Sequence, residues 1–287
     1  MGPVAALLPC GERLHLQHGP IDLIIGADTD RAAAFAATER RFETVLQGLV
    51  DELPVLQAPL HPNTPLPTGP EAQRMFWAAR PFSAEFVTPM AAVAGAVADE
   101  VLAAMLAATK PERAYVNNGG DIAIDLPPAG RFTLAMSTPD GQDLGRISVS
   151  GGSGVKGIAT SGFGGRSLSM GIADSVTVLA KDAATADVAA TLIANAVDLP
   201  GHRAIRRSPA NQVRDDSDLG ARPVVVGCGP LAPVEIGQAL DNGLRRADQM
   251  LHDGLILGAA LFLRGHHRTF GTCDLQLQNQ EQGLKIA

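Results

Sequence analysis

Cysteine is scarce in this 287-residue chain, with only Cys10, Cys228 and Cys273. Three scattered thiols exclude a disulfide framework, no two form the C-x-x-C of a zinc site, and the pattern fits a reducing compartment. Aromatic residues make up 4%, with one tryptophan and one tyrosine. Basic excess is absent too: the net charge is −7 and the pI near 5.5, which excludes a surface that tracks nucleic-acid phosphates. No stretch approaches the roughly 20 consecutive apolar residues of a membrane helix. Neither the G-x-x-x-x-G-K-[ST] order of a P-loop nor a G-x-G-x-x-G between strand and helix occurs. Leu7-Leu8-Pro9-Cys10 falls short of a lipoprotein cleavage box, because no positive start precedes it, its apolar run is brief and proline stands before the cysteine. The chain is therefore expected to be cytoplasmic.

What is present is a large apolar fraction. At 46% hydrophobic and 18% charged residues the chain can bury a substantial core, and it is expected to form a single domain over 1–287. Residues Ile21 to Ala27 read as a strand, and Thr29 to Leu53 as a long amphipathic helix capped by Asp28 or Thr29. The proline-rich 54–70 stretch reads as a connection, and Glu71 to Ala79 as a short helix with Phe76 and Trp77 as core anchors. Residues 201–220 hold Arg203, Arg206, Arg207, Asp215, Asp216 and Asp218, and read as an exposed excursion with hydrated charges. After it come a strand at 222–226 ending near a buried Cys228, a helix at 232–251, an apolar segment at 255–263, and His266 and His267 as a solvated loop pair.

Three segments carry chemistry. Residues 158–195 join a glycine-rich loop, a strand, and a helix bearing Asp187 and Thr191. Two oxygen ligands four positions apart share a helix face, roughly 5–6 Å between Cβ atoms, which suits one hard cation. The loop offers backbone N–H groups to an anion, and cation plus anion cradle together suggest a phosphorylated ligand. An Asp near a helix start is equally a cap or dipole partner, so the residues alone leave both readings open. Residues 114–125 spell a hairpin around Asn117-Asn118-Gly119-Gly120. The third segment, 87–104, is a buried helix opening at Thr88 and Pro89, with small residues that admit close packing or a ligand.

Taken together these stretches resemble the ApbE-like superfamily, best known for FAD:protein FMN transferases. The family's A-K-G-x-A-x-D helix corresponds to Ala94 through Asp99, its N-x-G-G-D-I hairpin to Asn117 through Ile122, its T-S-G loop to Thr160, Ser161 and Gly162, and its S-V-T-V strand with A-D-x-x-A-T helix to Ser175 through Val178 and Ala186 through Thr191. The sequence is more similar still to a functionally uncharacterised branch from methanogens and bacteria, through Pro89 to Ala96 and Ser167 to Asp174. The resemblance is best over 81–197. It implies an α+β fold of duplicated, T-fold-like units, with antiparallel sheets packed by long helices. It also implies Mg²⁺ at Asp187 and Thr191 with a backbone carbonyl near Val93 or Ala94, and FAD or FMN held by Asn117, Gly119, Gly120, Asp121, Thr160, Ser161, Gly162 and Arg166.

Two departures matter. The family's histidine segment between T-S-G and S-V-T-V is replaced by the short 163–174 connection, which has no histidine, and Ala94 stands where the family has lysine. Arg166 occupies the place of a branch histidine; a guanidinium cannot act as a base near neutrality but can clamp a phosphate. Asp121 and Asp174 then become the candidate catalytic groups. The implied function is Mg²⁺-dependent binding of a flavin dinucleotide or related pyrophosphate, with FMN transfer or FAD cleavage. The competing expectation is a non-catalytic flavin- or pterin-binding accessory protein. Expected partners are a small nucleotide or flavin and further copies of the chain in a homo-oligomer, with neither nucleic acid nor membrane.

Overall fold

The computed structural model describes residues 2–137, 141, 143–272 and 274–276; Cys273 lies outside them. The first half runs β1 (Val4–Leu7), β2 (Arg13–His18), β3 (Ile21–Ala27), α1 (Arg31–Asp51), a single turn α2 (Leu53–Leu56), α3 (Pro70–Ala79), α4 (Val93–Ala108), β4 (Ala114–Asn118) and β5 (Asp121–Asp125). A hairpin of β6 (Arg131–Ser137) and β7 (Asp143–Ser150) intervenes. The second half continues with β8 (Gly157–Ser161), β9 (Ser175–Ala180), α5 (Ala183–Ala196), β10 (Ile205–Pro209), a turn α6 (Ala210–Val213), β11 (Pro223–Cys228), α7 (Pro233–His252), β12 (Gly258–Leu263), β13 (His266–Gly271) and β14 (Asp274–Gln276).

Nine strands form one antiparallel sheet in the order β1-β2-β3-β4-β5-β8-β9-β12-β13. Its interior repeats one pattern. Strands β2-β3-β4-β5 lie in sequence with α1 and α4 between the second and third, and β8-β9-β12-β13 lie in sequence with α5 and α7 between the second and third. The expected duplication is therefore present in the topology. The halves join where β5 meets β8, through Ile122 opposite Ile158 and Ala123 opposite Gly157.

Strand alternation fixes what each face buries. Val116, Ala123, Ala159, Val178 and Leu261 point to the helices, and Ile122, Ile158, Leu179, Ala260 and Phe262 point to the small β14-β7-β6 sheet on the other side. Each fully buried Leu or Ile contributes about 1.5–3 kcal/mol through removal from water. Helix α1 buries Ala34, Phe35, Thr38, Phe42, Val45 and Leu49, a three-and-four spacing that lays one stripe on the sheet and on α4. Its cap is Asp30, in a left-handed conformation with no side-chain cap bond, and not Asp28 or Thr29 as expected. Asp28 instead accepts from the Arg113 amide at 3.0 Å, tying β3 to the start of β4.

Other expectations are corrected as well. The stretch 89–108 is, by length and composition, apolar enough to cross a membrane, yet α4 packs against α1, α5, β4 and β5, so its apolarity is that of a core helix. Phe76 is buried but Trp77 is 57% exposed, standing edge-on to Phe76, because adjacent helical residues point about 100° apart and only one can face the core. His266 and His267 open strand β13 instead of forming a loop; the turn is made by Arg264 and Gly265, both with positive φ. The polar excursion carries β10 and α6 and is anchored: Arg207 pairs with Asp198 at 2.6 Å and donates to the Met170 carbonyl, and Asp218 accepts from the Thr88 hydroxyl.

Candidate functional site

The β4–β5 turn is a two-residue connection made by Gly119 and Gly120, with φ of 65° and 114°, values that side-chain-bearing residues rarely adopt. Asn117 Oδ1 accepts from the Gly120 amide at 2.8 Å, so this side chain holds the turn. Its neighbour Asn118, 4% exposed, faces the helices and donates from Nδ2 to the Ala94 carbonyl at 3.1 Å. Asp121 follows on the helix side of β5, at the junction of the two halves.

Across that junction the T-S-G segment is not a loop. Thr160 and Ser161 end strand β8, with Thr160 opposite Thr177 and Ser161 opposite Val176. The Thr160 hydroxyl meets that of Thr177 at 2.9 Å on the face away from the helices, while its amide donates to Asp121 Oδ1 at 3.2 Å. Ser161 shares the helix side with Ala159. Gly162 is buried with its backbone against the Asp174 carbonyl, where a Cβ would not fit. The loop lies beyond, at 163–174, strapped to the end of α5 by Asn195 Oδ1 accepting from the Met170 amide at 2.9 Å. Arg166 lies in this loop with its guanidinium directly over Gly119, beside Asp121. Asp174 serves the other flank: its carboxylate accepts from the Arg264 amide at the β12–β13 turn.

Helix α5 supplies the remaining groups. Its N-terminus is capped by Asp182, which accepts from the Thr185 amide at 2.7 Å, and by Asp99 of α4, whose two oxygens accept from Ala183 and Ala184 at 3.0 and 2.9 Å. One turn on, Asp187 accepts from the Gly95 amide at 3.0 Å, and Thr191, half-buried, lies one turn further. Gly95 packs so closely on the Ala183 carbonyl that no side chain fits between the helices.

Electrostatics identify Asp121 and Asp187 as a pair. Burial pushes the Asp121 carboxyl up to about 7, against the lowering effect of the Thr160 amide and the Arg166 charge. Burial also raises Asp187 well above the ordinary carboxylate value, and the Asp121 charge raises it further. Asp99 is raised to about 6, again by burial, with its two amide donors opposing. Burial disfavours the charge of both carboxylates, and a divalent cation reverses that preference. Among the described residues no three carboxylate, imidazole or thiol side chains converge on one point. A cation here would thus draw on Asp121 and Asp187 plus neutral oxygens; Thr191, the expected second ligand, lies one turn along α5 from Asp187, and the Ala94 carbonyl accepts from Asn118 Nδ2.

The structure thus brings Asn117, Gly119, Gly120, Asp121, Thr160 and Arg166 around one turn, with Asp187 coupled to Asp121 from α5. Sequence reasoning missed the roles of Asn118 and Asp99. The buried Asn within a turn motif was the signal for the first; for Asp99 the signal was its place as the closing acid of the family's helix motif, which was given no role.

Residues 5–269 match a family described as AbpE bacteria. A UPF0280 protein of Methanopyrus kandleri is 38% identical over 178 residues, covering 61% of this chain and 69% of that protein. A UPF0280 protein of Methanothrix thermoacetophila is 39% identical over 158 residues, covering 54% and 64%. The chain therefore spans about two thirds of the length of these relatives. Among solved structures, an ApbE protein from Thermotoga maritima aligns over 77% of this chain and 97% of its own at 13% identity and a TM-score of 0.43. A flavin transferase ApbE from Vibrio cholerae aligns over 95% and 98% at 13% identity and a TM-score of 0.49.

Proposed function

Because this chain belongs to the bacterial ApbE-like family, we propose that the cleft at the β5–β8 junction binds Mg²⁺ and the pyrophosphate of FAD or a related dinucleotide. The observation that carries this reading is the Asp121–Asp187 pair, contributed by the two halves of the fold, both raised by burial and Asp187 raised further by the Asp121 charge. The choice of a flavin follows from the family motifs; the side chains themselves argue for a cation beside an anion. Bound Mg²⁺ would neutralise the paired carboxylates and the charge on the phosphates.

This chain's own residues divide the work. Arg166, over the Gly119-Gly120 turn, clamps a phosphate, and the turn's backbone lies open beside it. Asp121, its Oδ1 oriented by the Thr160 amide, would hold the cation; only without Mg²⁺ does its carboxyl, pushed up to about 7 by burial, carry a proton near neutrality. Asp174 orders the β12–β13 turn at the flank and acts as a positioning residue.

General-base help is worth about 10²–10⁴-fold in rate, and the 163–174 loop has no histidine to supply it. We therefore infer weak or absent FMN transfer to a hydroxyl-bearing acceptor, with at most slow hydrolysis of FAD by water to FMN and AMP. Incubating the purified protein with FAD and Mg²⁺, separating the products, and measuring FAD binding by calorimetry tests this. The expected result is saturable, Mg²⁺-dependent binding that Asp187→Ala abolishes. Binding without any turnover selects the accessory-protein alternative. No saturation with flavins or adenine nucleotides, with Mg²⁺ present, removes the ligand class.

A further inference from the structure

A recess of about 310 Å³ opens at the far end of the β4–β5 hairpin from the Asp121 turn, beside Arg113 and Tyr115 at the start of β4. About five residues of strand at roughly 3.3 Å each separate the two places. Three elements contribute arginines to its wall: Arg31 from the first turn of α1, Arg113 from the approach to β4, and Arg131 from the start of β6. Arg31 is oriented by its Nε donating to the Ala27 carbonyl at 2.8 Å, and it meets Glu12 only loosely, at 3.7 Å, where both are well exposed. The guanidiniums of Arg113 and Arg131 have no carboxylate partner among the described residues. Glu12 and Asp28 line the same recess, so three arginines stand against two carboxylates, and the Asp28 carboxylate is taken up by the Arg113 amide.

Between them lies an aromatic surface. Tyr115 lies across from Gly26, whose missing side chain leaves room for its ring, and it meets Phe132 at 5.6 Å between centroids with a 53° tilt. The first turn of α1 beside it carries no acidic residue and no side-chain cap. Arginine beside aromatic rings selects a ligand with two properties: a flat apolar ring to stack and an anion for the fork of the guanidinium.

We propose that this recess is a second ligand site, separate from the Asp121 cleft, for a small planar aromatic molecule bearing a phosphate or carboxylate group. The ring packs on Tyr115 and Phe132, and the anion is met by Arg113 and Arg131, with Arg31 completing the wall. The volume lies at the lower end of the range for small-molecule pockets, about 300–1,000 Å³, which limits the ligand to one or two rings. The assignment does not depend on the chemistry of the other cleft.

Tyr115 is the chain's single tyrosine, so tyrosine labelled with ¹³C in the ring gives one resonance that reports this recess. Phenyl phosphate, benzoate, inorganic phosphate and phenol are titrated in turn. Saturable movement of that resonance with phenyl phosphate or benzoate is the expected result, and whichever binds more tightly identifies the anion. Replacing Arg113→Gln and Arg131→Gln together weakens binding by roughly tenfold for each arginine. Phe132→Leu weakens it several-fold while leaving inorganic phosphate unaffected. The proposal is overturned by any of three results: no movement at about 10 mM of either aromatic anion, equal affinity for inorganic phosphate, or full affinity in the double arginine variant.

Discussion

The Gly95 amide donates to the Asp187 carboxylate at 3.0 Å, and the contact is reciprocal. One turn along α4, Asp99 accepts from Ala183 and Ala184 at the start of α5. Each helix thus uses a carboxylate to satisfy main-chain donors of the other, and Asp187 is held by the same clasp. Open N–H groups at a buried helix start are costly, so the clasp stabilises both helix ends at once.

Asp99→Ala is expected to lower stability by about 1–3 kcal/mol, since two buried donors lose their acceptor. Asp99→Asn keeps one acceptor oxygen and should fall between. Chemical denaturation followed by circular dichroism measures both, and an unchanged midpoint in the alanine variant would show that the clasp does not hold the helices.

Gly95→Ala should destabilise although alanine is the better helix former by about 1 kcal/mol. A Cβ at this position would overlap the Ala183 carbonyl, so the helices must separate, typically at about 1–3 kcal/mol. The Mg²⁺ response should shrink as well, because Asp187 moves with α5. A melting temperature at or above that of the parent would contradict the close approach.

The pH dependence has a definite sign. Asp99 and Asp121 titrate at about 6 and about 7 in the fold, above the ordinary 3.8, so the folded state holds more protons than the unfolded one between about pH 4 and 7. Without metal, these groups make stability fall as pH rises through that window, by an order of a few kcal/mol. Mg²⁺ competes with the protons on Asp121 and Asp187, so its stabilising shift should be small at pH 5 and large at pH 8. Melting curves at both pH values, with and without Mg²⁺, decide it; a larger shift at pH 5 would refute the pairing.

Arg166→Ala should weaken nucleotide binding by roughly tenfold and make it less salt-sensitive, through loss of one charge-assisted contact. It should also move the Asp121 titration upward, since the guanidinium adds to the Thr160 amide in lowering it. Arg166→His restores an imidazole beside Asp121 and is expected to raise the rate of FAD cleavage. Equal rates in parent and histidine variant would separate catalysis from this position.

Elements with strong local signals were legible from residue order. Two glycines between alternating strands dictate the β4–β5 turn, because few other residues accept positive φ twice in succession. The amphipathic spacing of α1 and α7 and the run of β3 were readable for the same reason: each carries its own period. Strands β6 and β7 were not, since they alternate over a partly exposed sheet whose apolar partners, such as Ile147 and Val149, face strands far away in the chain. Strand β10 hid among arginines and aspartates that looked merely hydrated.

By itself, the sequence determined the local chemistry of this protein: a carboxylate after a glycine turn, a carboxylate and a hydroxyl one turn apart on an alanine-rich helix, and no histidine in the 163–174 loop. Only the tertiary structure decided which of these meet. Asp121 and Asp187 interact because the sheet sets β5 against β8 and the helix clasp sets α5 against α4. Nothing in the spacing between positions 121 and 187 encodes that, since pairings across a fold follow from burying complementary faces and not from local propensity.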